Sequence, residues 1–209
     1  MTASPPLLAA THPTPAGPLT LITGPEGVCA AGFTDDLALV SALRGPRHRL
    51  AELRVVGDAG AASKAVLAWA EGDADAPLGV DVVLEGTAFQ RSIWAALRAI
   101  APGRPLTYAG LAAAAGRPAA VRAAGRGCAT NRVSLFVPCH RVVPAGGGCG
   151  GFLWGTAVKE ACLAHEAAVA SGMALQAGGG GQVGSVSSCG SRPRPAGAAA
   201  GAGTAPAAR

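Results

Sequence analysis

The chain has 209 residues and a net charge of +5; half of its residues are hydrophobic, and few are aromatic. It contains no run of about eighteen apolar residues without a charge, which excludes a hydrophobic membrane-spanning helix. The N-terminus has neither the basic segment nor the apolar length of a secretory signal, so we expect a cytoplasmic protein.

The six cysteines and four histidines predict neither disulfides nor a metal site. They are Cys29, Cys128, Cys139, Cys149, Cys162 and Cys189, with His12, His48, His140 and His165. A chain of this size without an export signal keeps its thiols reduced. None of the spacings matches a zinc motif. We therefore expect free thiols, no metal and no cofactor.

Charge is distributed unevenly along the chain. Residues 1–84 contain five Lys or Arg and nine Asp or Glu, a net of −4. Residues 85–170 contain nine Lys or Arg and three Asp or Glu, a net of +6, and the remaining residues add three arginines. A basic half suits a polyanionic partner, because neutralised phosphates release counterions. Charge alone fits a solvated surface at least as well.

The first part of the chain predicts a leader and an α/β domain. Residues 1–17, rich in Pro, Thr and Ala, predict a flexible leader. Within residues 18–84, "GPLTLITGPEGVCAAGF" predicts two strands around a turn at residues 24–27. "DDLALVSALRG" and "AASKAVLAWAEG" have helical spacing, and "GVDVVLEG" predicts another strand. This domain shows no residue cluster that indicates chemistry.

The second part, residues 85–171, is predicted to be mainly helical. "GTAFQRSIWAALRAI" has an apolar stripe and Thr87 as a helix N-cap. Two short helices follow in "LTYAGLAAAAG", with Thr107 as its N-cap candidate, and in "RPAAVRAAGRGCATN", joined by a turn of a few residues. The second helix carries outward arginines, so the pair fits a helix-turn-helix, and equally an ordinary helical hairpin. "TAVKEACLAHEAAVA" predicts a closing helix, and residues 172–209 predict a disordered Gly/Ala-rich tail.

The stretch "VPCHRVVPAGGG" places a thiol, a titratable ring and a guanidinium in a row. Cys139 can act as a nucleophile if a base takes its proton, and His140 is adjacent. Glu166 lies on an otherwise apolar helix face and would orient that histidine, as in a triad. A buried, inert cysteine and a solvated glutamate are the alternatives that these residues leave open.

Four segments together resemble a known family: "GTAFQRSIWAALRAI", "TYAGLAAAAGRPAAVRAAG", "PCHRVV" and "AVKEACLAHE", in this order. Over about residues 86–167 the chain is similar to the O6-alkylguanine-DNA alkyltransferases, and the similarity over 18–85 is faint. The resemblance implies a ribonuclease H-like α/β N-terminal domain and a mainly α C-terminal domain with a helix-turn-helix. It does not extend to the tail.

The resemblance also implies an activity, direct reversal of DNA damage. The alkyl group of O6-alkylguanine in double-stranded DNA, with O4-alkylthymine as a further candidate, is moved irreversibly onto a cysteine of the protein. The target base is flipped out of the duplex first. We expect a monomer that needs no cofactor and works on the nucleoid of a bacterium or in a eukaryotic nucleus.

Four residues of this sequence match the family's catalytic positions. The resemblance makes Cys139 the alkyl acceptor and lets His140 deprotonate it through a water molecule. It implies that Glu166 orients His140. Asn131, which precedes the "VSLFVPCH" run as the family's asparagine does, would tether the turn that carries the thiol.

Three further residues match positions that hold the DNA. Arg122 corresponds to the arginine that fills the space of the flipped nucleotide. Tyr108 corresponds to the tyrosine that contacts the guanine and rotates the 3′ phosphate. The backbone carbonyls of Cys139 and Val142 would accept hydrogen bonds from the guanine amino group.

The loop after the motif departs from the family. Phe152, Leu153 and Trp154 stand where the family has a tyrosine, a serine and a glycine, and Arg132 replaces a proline. We expect the three loop residues to line a wall of the guanine pocket, with the indole folded over its mouth rather than pointing to solvent. O6-benzylguanine would then react poorly until Trp154 is replaced by glycine.

Other functions are weaker alternatives. An alkyltransferase-like protein binds lesions without repairing them, but such proteins have lost the acceptor cysteine, which this chain keeps as Cys139. A hydrolytic cysteine enzyme needs an oxyanion hole and a cleft that the sequence does not indicate. A role as transcriptional activator is not expected, because only Cys29 precedes the helical part of the chain.

Overall fold

Short runs of mostly buried residues build a sheet from the first part of the chain. The computed structural model describes residues 5–172, and its first strands are β1 (Leu7–His12), β2 (Leu19–Gly24), β3 (Gly27–Gly32) and β4 (Leu53–Val55). The sheet order is β3-β2-β1-β4, antiparallel except for the parallel β1-β4 pair. The helices α1 (Leu37–Ala42) and α2 (Ala61–Glu71) join two different hydrophobic clusters, and so cover opposite faces of the sheet.

The prediction of a flexible leader over residues 1–17 is wrong where the structure describes it. Strand β1 lies inside the sheet, hydrogen-bonded to β2 on one side and to β4 on the other. Leu7, Ala9 and Ala10 are almost fully buried. The prolines and threonines around this short apolar run dominate its composition, whereas its order comes from pairing with β2, which follows it, and with the distant β4.

The strand predicted in "GVDVVLEG" is also wrong. Within this segment Val82 forms an isolated parallel bridge with Val28. The bridge is fixed by hydrogen bonds from Val28 N to Asp81 O (2.9 Å) and from Val83 N to Val28 O (2.8 Å). Its β-branched residues therefore touch the end of β3 once, and then the chain turns away toward the helical part. Strand propensity alone does not extend the pairing.

The second part of the chain is helical, as predicted. Its elements are α3 (Ala88–Arg98), β5 (Leu106–Thr107), α4 (Tyr108–Ala114), α5 (Val121–Ala129), β6 (Val142–Val143) and α6 (Thr156–Ala170). Thr87 caps α3 and forms a capping box with Gln90. The Thr107 hydroxyl accepts from Gly110 N at 3.0 Å at the start of α4. Both helix starts confirm the caps predicted from the sequence.

The two parts of the chain share a hydrophobic core. The predicted stripe of α3 is buried at Ile93, Trp94 and Leu97, and it belongs to the same cluster as Leu21 of β2 and Trp69 of α2. The sheet and the helices therefore stabilise one another through common apolar contacts. A substitution on one side of this core affects the geometry on the other side.

Strand β3 also bonds directly to the chain before the "PCH" motif. Ala31 N donates to Arg132 O at 2.8 Å, and Ser134 N donates to Ala31 O at 3.0 Å. These bonds form a parallel bridge between Ala31 and Val133. The segment that leads to Cys139 is therefore held on the edge of the sheet.

Neither a membrane-spanning helix nor a metal cluster occurs among residues 5–172. No helix between residues 5 and 172 is both long and apolar enough to cross a bilayer. The same residues contain no group of three or more His, Cys, Asp or Glu side chains that could hold a metal ion. The predicted tail, with Cys189, lies outside the described residues beyond position 172.

Candidate active site

The Cys139 thiol sits on a 3₁₀ turn (Cys139–Arg141) that follows Pro138. Its residue is 8 % exposed. Asn131 Nδ2 donates both to Val137 O (2.7 Å) and to the Cys139 sulfur (3.0 Å), while Asn131 Oδ1 accepts from Val133 N (3.0 Å). The Asn131 side chain therefore links Val133 and Val137, at the two ends of the segment before the turn, to the Cys139 sulfur. These are the contacts that the tethering role predicted for Asn131 requires.

Burial raises the pKa of the Cys139 thiol, and several neighbours oppose that effect. The hydrogen bond from Asn131, the charge of Lys159 and a hydrogen bond from Ser134 each lower it. Lys159 is fully buried, and its Nζ donates to Val142 O at 2.6 Å. Forming the thiolate therefore places a negative charge near a buried ammonium group, which favours the ionised sulfur.

Sequence reasoning missed Lys159. The signal was present, because Lys159, Cys162 and Glu166 are spaced at i, i+3 and i+7 and share one face of α6. All three are buried. A lysine on the same helix face as a predicted catalytic glutamate is a candidate for the site.

His140 is fully buried, and its Nε2 lies 2.9 Å from Oε1 of Glu166. Burial lowers the pKa of His140, which leaves the ring neutral. An ionised carboxylate can only accept, so Nε2 carries the ring proton and Nδ1 keeps its lone pair. Nδ1 has no hydrogen-bond partner among the described residues. The ring is therefore fixed as a base, which is the orientation that the role predicted for Glu166 requires.

Arg141 holds the other side of Glu166, a role that sequence reasoning did not assign. Arg141 Nε donates to Oε2 (2.9 Å) and Nη2 to Oε1 (2.8 Å), while further donors reach Ile100 O (2.6 Å) and Ala74 O (3.1 Å). Burial raises the pKa of Glu166, but the hydrogen bonds and charges of His140 and Arg141 outweigh it and lower the pKa to about 2. The buried carboxylate is therefore ionised at neutral pH.

Cys139 opens onto a pocket of about 310 Å³, within the size range of ligand sites. Its lining residues are Tyr108, Gly125, Cys128, Ala129, Asn131, Ser134, Cys139, Gly151, Phe152 and Leu153. Phe152 and Leu153 form part of the wall, as predicted. Burial raises the pKa of Tyr108, so its hydroxyl is protonated at neutral pH and can donate a hydrogen bond into the pocket.

A larger cavity, of about 580 Å³, lies elsewhere in the molecule. It is bordered by Leu8 and Thr23 of the sheet, by Ala62 of α2 and by Asp81. No cysteine or histidine lines it. Volume alone therefore does not identify the site, and the chemistry belongs to the smaller pocket.

The predicted closure of the Trp154 indole over the pocket mouth is wrong. The ring lies against β3, where a Cβ at Gly32 would overlap it, and its Nε1 donates to Ser134 Oγ at 2.8 Å. It packs on both hydrophobic clusters and does not line the pocket. Gly32 leaves room for the large ring, and Ser134 accepts a hydrogen bond from its N–H. The ring is therefore more stable at this position than in water or in the pocket.

We therefore expect Trp154→Gly to destabilise the fold without widening the pocket. Removing a half-buried indole is expected to cost about 3 kcal/mol, the lower end of the range for large aromatic residues. Denaturant unfolding measures the change. Leu153→Gly is the matched control, because the neighbouring side chain is 60 % exposed. Equal unfolding midpoints for the two variants would contradict the position of the indole.

The carbonyls that the resemblance assigns to the guanine amino group already have partners in the protein. Cys139 O accepts from Val142 N in the 3₁₀ turn, and Val142 O accepts from Lys159 Nζ. A carbonyl oxygen has two lone pairs, so each can still accept one more hydrogen bond. The turn geometry therefore leaves this prediction open.

Helix α5 presents basic side chains beside the pocket. Arg122 and Arg126 are exposed, whereas Ala124 and Gly127 are buried against the rest of the domain. Gly125 and Cys128 of the same helix line the pocket. The outward arginines predicted from the sequence are confirmed, and they lie on the helix that forms one wall of the candidate site.

The structure defines a site built around a buried cysteine beside a histidine–glutamate pair. Residues 88–168 match the family model described as the 6-O-methylguanine DNA methyltransferase, DNA binding domain. Through this domain the chain is similar to the O6-methylguanine-DNA methyltransferase family.

Curated relatives match over about two fifths of the chain. The chain is 48 % identical over 81 residues to the methylated-DNA-protein-cysteine methyltransferase of Salmonella typhimurium, covering 39 % of this chain and 47 % of that protein. It is 44 % identical over 93 residues to the bifunctional transcriptional activator/DNA repair enzyme Ada of Escherichia coli, covering 44 % and 26 %. The chain thus spans half or less of the length of these relatives.

Solved structures match over more of the chain. The crystal structure of Mycobacterium tuberculosis O6-methylguanine methyltransferase has a TM-score of 0.62 and 28 % identity, covering 78 % of this chain and 93 % of that one. The same organism's protein in complex with DNA gives 0.63 and 27 %, covering 78 % and 94 %. The Pyrococcus kodakaraensis enzyme, at 0.61 and 22 % identity, covers 77 % and 98 % and supports the fold alone.

Proposed function

We propose that this protein repairs DNA by moving the alkyl group of O6-alkylguanine onto the Cys139 sulfur, once per molecule. The observation that carries the proposal is the Cys139 thiol itself. It is bound by Asn131 and faces a pocket, next to a neutral histidine that is oriented by an ionised glutamate. This arrangement lies inside the segment that matches the methyltransferase model.

The proposed reaction begins with the thiol proton. His140 Nδ1 takes this proton through an intervening water, and Glu166 stabilises the imidazolium that forms. The thiolate then attacks the alkyl carbon in line: the carbon-sulfur bond forms as the bond from carbon to guanine O6 breaks. The base leaves with that electron pair and regains one proton, so the products are guanine and a thioether. Water does not cleave a thioether at neutral pH, which makes the protein single-turnover.

Tyr108 is proposed to assist the leaving base. Guanine is a poor leaving group unless a donor stabilises the charge that develops on its ring. The Tyr108 hydroxyl lines the pocket in its protonated form. It can therefore donate to the base as negative charge develops, without itself ionising.

DNA binding is proposed to use α4 and α5 as a helix-turn-helix. The two helices pack on each other, and α5 carries Arg122 and Arg126 on its exposed face. A monomer would dock α5 in the minor groove, which carries little sequence information and so suits repair at any site. The sheet order supports assigning the first part of the chain to the ribonuclease H-like class.

Incubation with duplex DNA that carries O6-methylguanine with a labelled methyl group tests the proposal. We expect one label per protein molecule, on the Cys139 peptide, with unmodified guanine left in the DNA. Binding without transfer would indicate a lesion-binding protein instead. A protein that shows no binding and no transfer would refute a role on this lesion.

Arg122→Ala is expected to slow repair of duplex DNA much more than reaction with the free alkylated base. If the guanidinium fills the gap left by the flipped base, its loss costs about 2 kcal/mol of the few kcal/mol needed for unstacking, or about thirtyfold in rate. Single-turnover kinetics on both substrates measure the ratio. Arg126→Ala is the matched control on the same exposed face, and it should lower the salt-dependent affinity alone. Equal losses on both substrates for Arg122→Ala would contradict the role.

A further inference from the structure

Ser134 occupies an unusual position between the sheet and the nucleophile. Its residue is 2 % exposed, it lines the pocket together with Cys139, and its backbone N–H is bound to Ala31 O of β3. Its side-chain oxygen accepts from Trp154 Nε1 at 2.8 Å. The residue is therefore fixed at its backbone and at its side chain.

The hydrogen bond from Trp154 limits where the Ser134 hydroxyl proton can point. An indole N–H can only donate, so the Trp154 contact occupies a lone pair of Ser134 Oγ and leaves its O–H group available. A buried hydroxyl is expected to donate to an acceptor nearby, and Ser134 and Cys139 line the same pocket. We infer that Ser134 is a positioning residue: its hydroxyl donates to the Cys139 sulfur, and the Trp154 indole sets the direction of that hydroxyl.

The electrostatics of the site agree with this geometry. A hydrogen bond from Ser134 is one of the influences that lower the pKa of Cys139 against the effect of burial. Together with Asn131 Nδ2 at 3.0 Å, it gives the thiolate two fixed donors. The indole is held in turn by its seat on Gly32. Gly32, Trp154 and Ser134 therefore connect the sheet to the Cys139 sulfur by successive contacts.

The inference deepens the proposed function and rests on it for its biological meaning, but its test needs no DNA. The rate of Cys139 alkylation by iodoacetamide is measured against pH on the whole protein, with peptide mass spectrometry to assign the label to Cys139. Ser134→Ala is expected to shift the midpoint of this profile upward by about one pH unit, because a hydrogen bond to a charged group is lost. At pH values below the midpoint, alkylation should be about tenfold slower than in the wild type. Ser134→Thr keeps the hydroxyl and should restore the profile.

Trp154→Phe separates the hydrogen bond from packing, because it keeps a ring against Gly32 and removes the N–H. We expect an upward shift smaller than that of Ser134→Ala. The double variant should shift no further than Ser134→Ala alone, since Trp154 acts through Ser134. An unchanged profile for Ser134→Ala would overturn the inference, and additive shifts in the double variant would overturn the role of the indole.

Two experimental outcomes distinguish an error in the inference from an error in the proposed function. A wild-type protein with the expected iodoacetamide profile that takes no label from O6-methylguanine DNA would refute the proposed function and leave the inference standing. A protein that takes the label but whose thiol profile ignores Ser134→Ala would refute the inference alone. Thermal melting of each variant checks that it is folded under the conditions of the assay.

Discussion

Cys139→Ala is expected to abolish alkyl transfer and to leave binding to duplex DNA nearly unchanged. The substitution removes the sulfur and little else, because the residue is 8 % exposed and makes its polar contact through the thiol. The expected result is no label on the protein after prolonged incubation with methyl-labelled O6-methylguanine DNA. Affinity for the same duplex, measured at a fixed salt concentration, should stay within about threefold of the wild type, because the phosphate contacts that dominate affinity remain.

Two features make the assay decisive. Cys29→Ala is the matched control, because Cys29 is a buried thiol outside the pocket and its pKa is raised by burial to about 11. That variant should transfer at the wild-type rate. The competing acceptor within the pocket is Cys128, whose pKa burial raises to about 12, so it stays protonated at neutral pH. Label on Cys128 in Cys139→Ala would contradict the assignment of the nucleophile.

Local signals made most of the helical part predictable. Caps at Thr87 and Thr107, apolar spacing along α3, and glycine turns are properties of adjacent residues, and the structure follows them. The hairpin of β2 and β3 around residues 24–27 is local in the same way. Strand β1 escaped detection because its own composition resembles a leader, and because one of its two partners, β4, is distant in sequence.

The candidate site divides along the same line. Residues that a motif places near Cys139, such as His140 and Asn131, could be found from the sequence. Trp154 was misplaced because its position depends on the absence of a side chain at Gly32, on a strand more than a hundred residues away. Arg141 was visible in the motif, but its role depends on the position of the buried Glu166 carboxylate, which the motif does not give.

Glu166→Gln is expected to lower both the stability of the protein and its rate of transfer. Arg141 is 1 % exposed, and Glu166 is the anion that neutralises it in the core. A neutral amide at this position would leave the guanidinium charge buried and uncompensated, which lowers the free energy of unfolding by about 3–5 kcal/mol. The transfer rate should fall by about 10²- to 10⁴-fold, because the amide does not stabilise the His140 imidazolium.

A double variant separates these two effects. Arg141→Met together with Glu166→Gln removes both buried charges, although it leaves the carbonyls of Ile100 and Ala74 without a donor. We expect it to be more stable than Glu166→Gln alone, while its transfer stays slow. Denaturant unfolding and single-turnover transfer on the wild type, on Arg141→Met, on Glu166→Gln and on the double variant give the coupling. Additive losses of stability would mean that the two side chains do not compensate one another.

The same pair predicts how the protein responds to acid. The pKa of Glu166 is lowered from 4.5 to about 2, so its ionised form stabilises the folded state fully above pH 4.5. That contribution is lost as the pH falls from 4.5 toward 2, because the unfolded chain takes up the proton first. Glu166→Gln should lack this part of the acid transition, since it has no carboxylate to protonate. If wild type and variant lose stability in parallel over that pH range, the carboxylate does not hold the buried arginine.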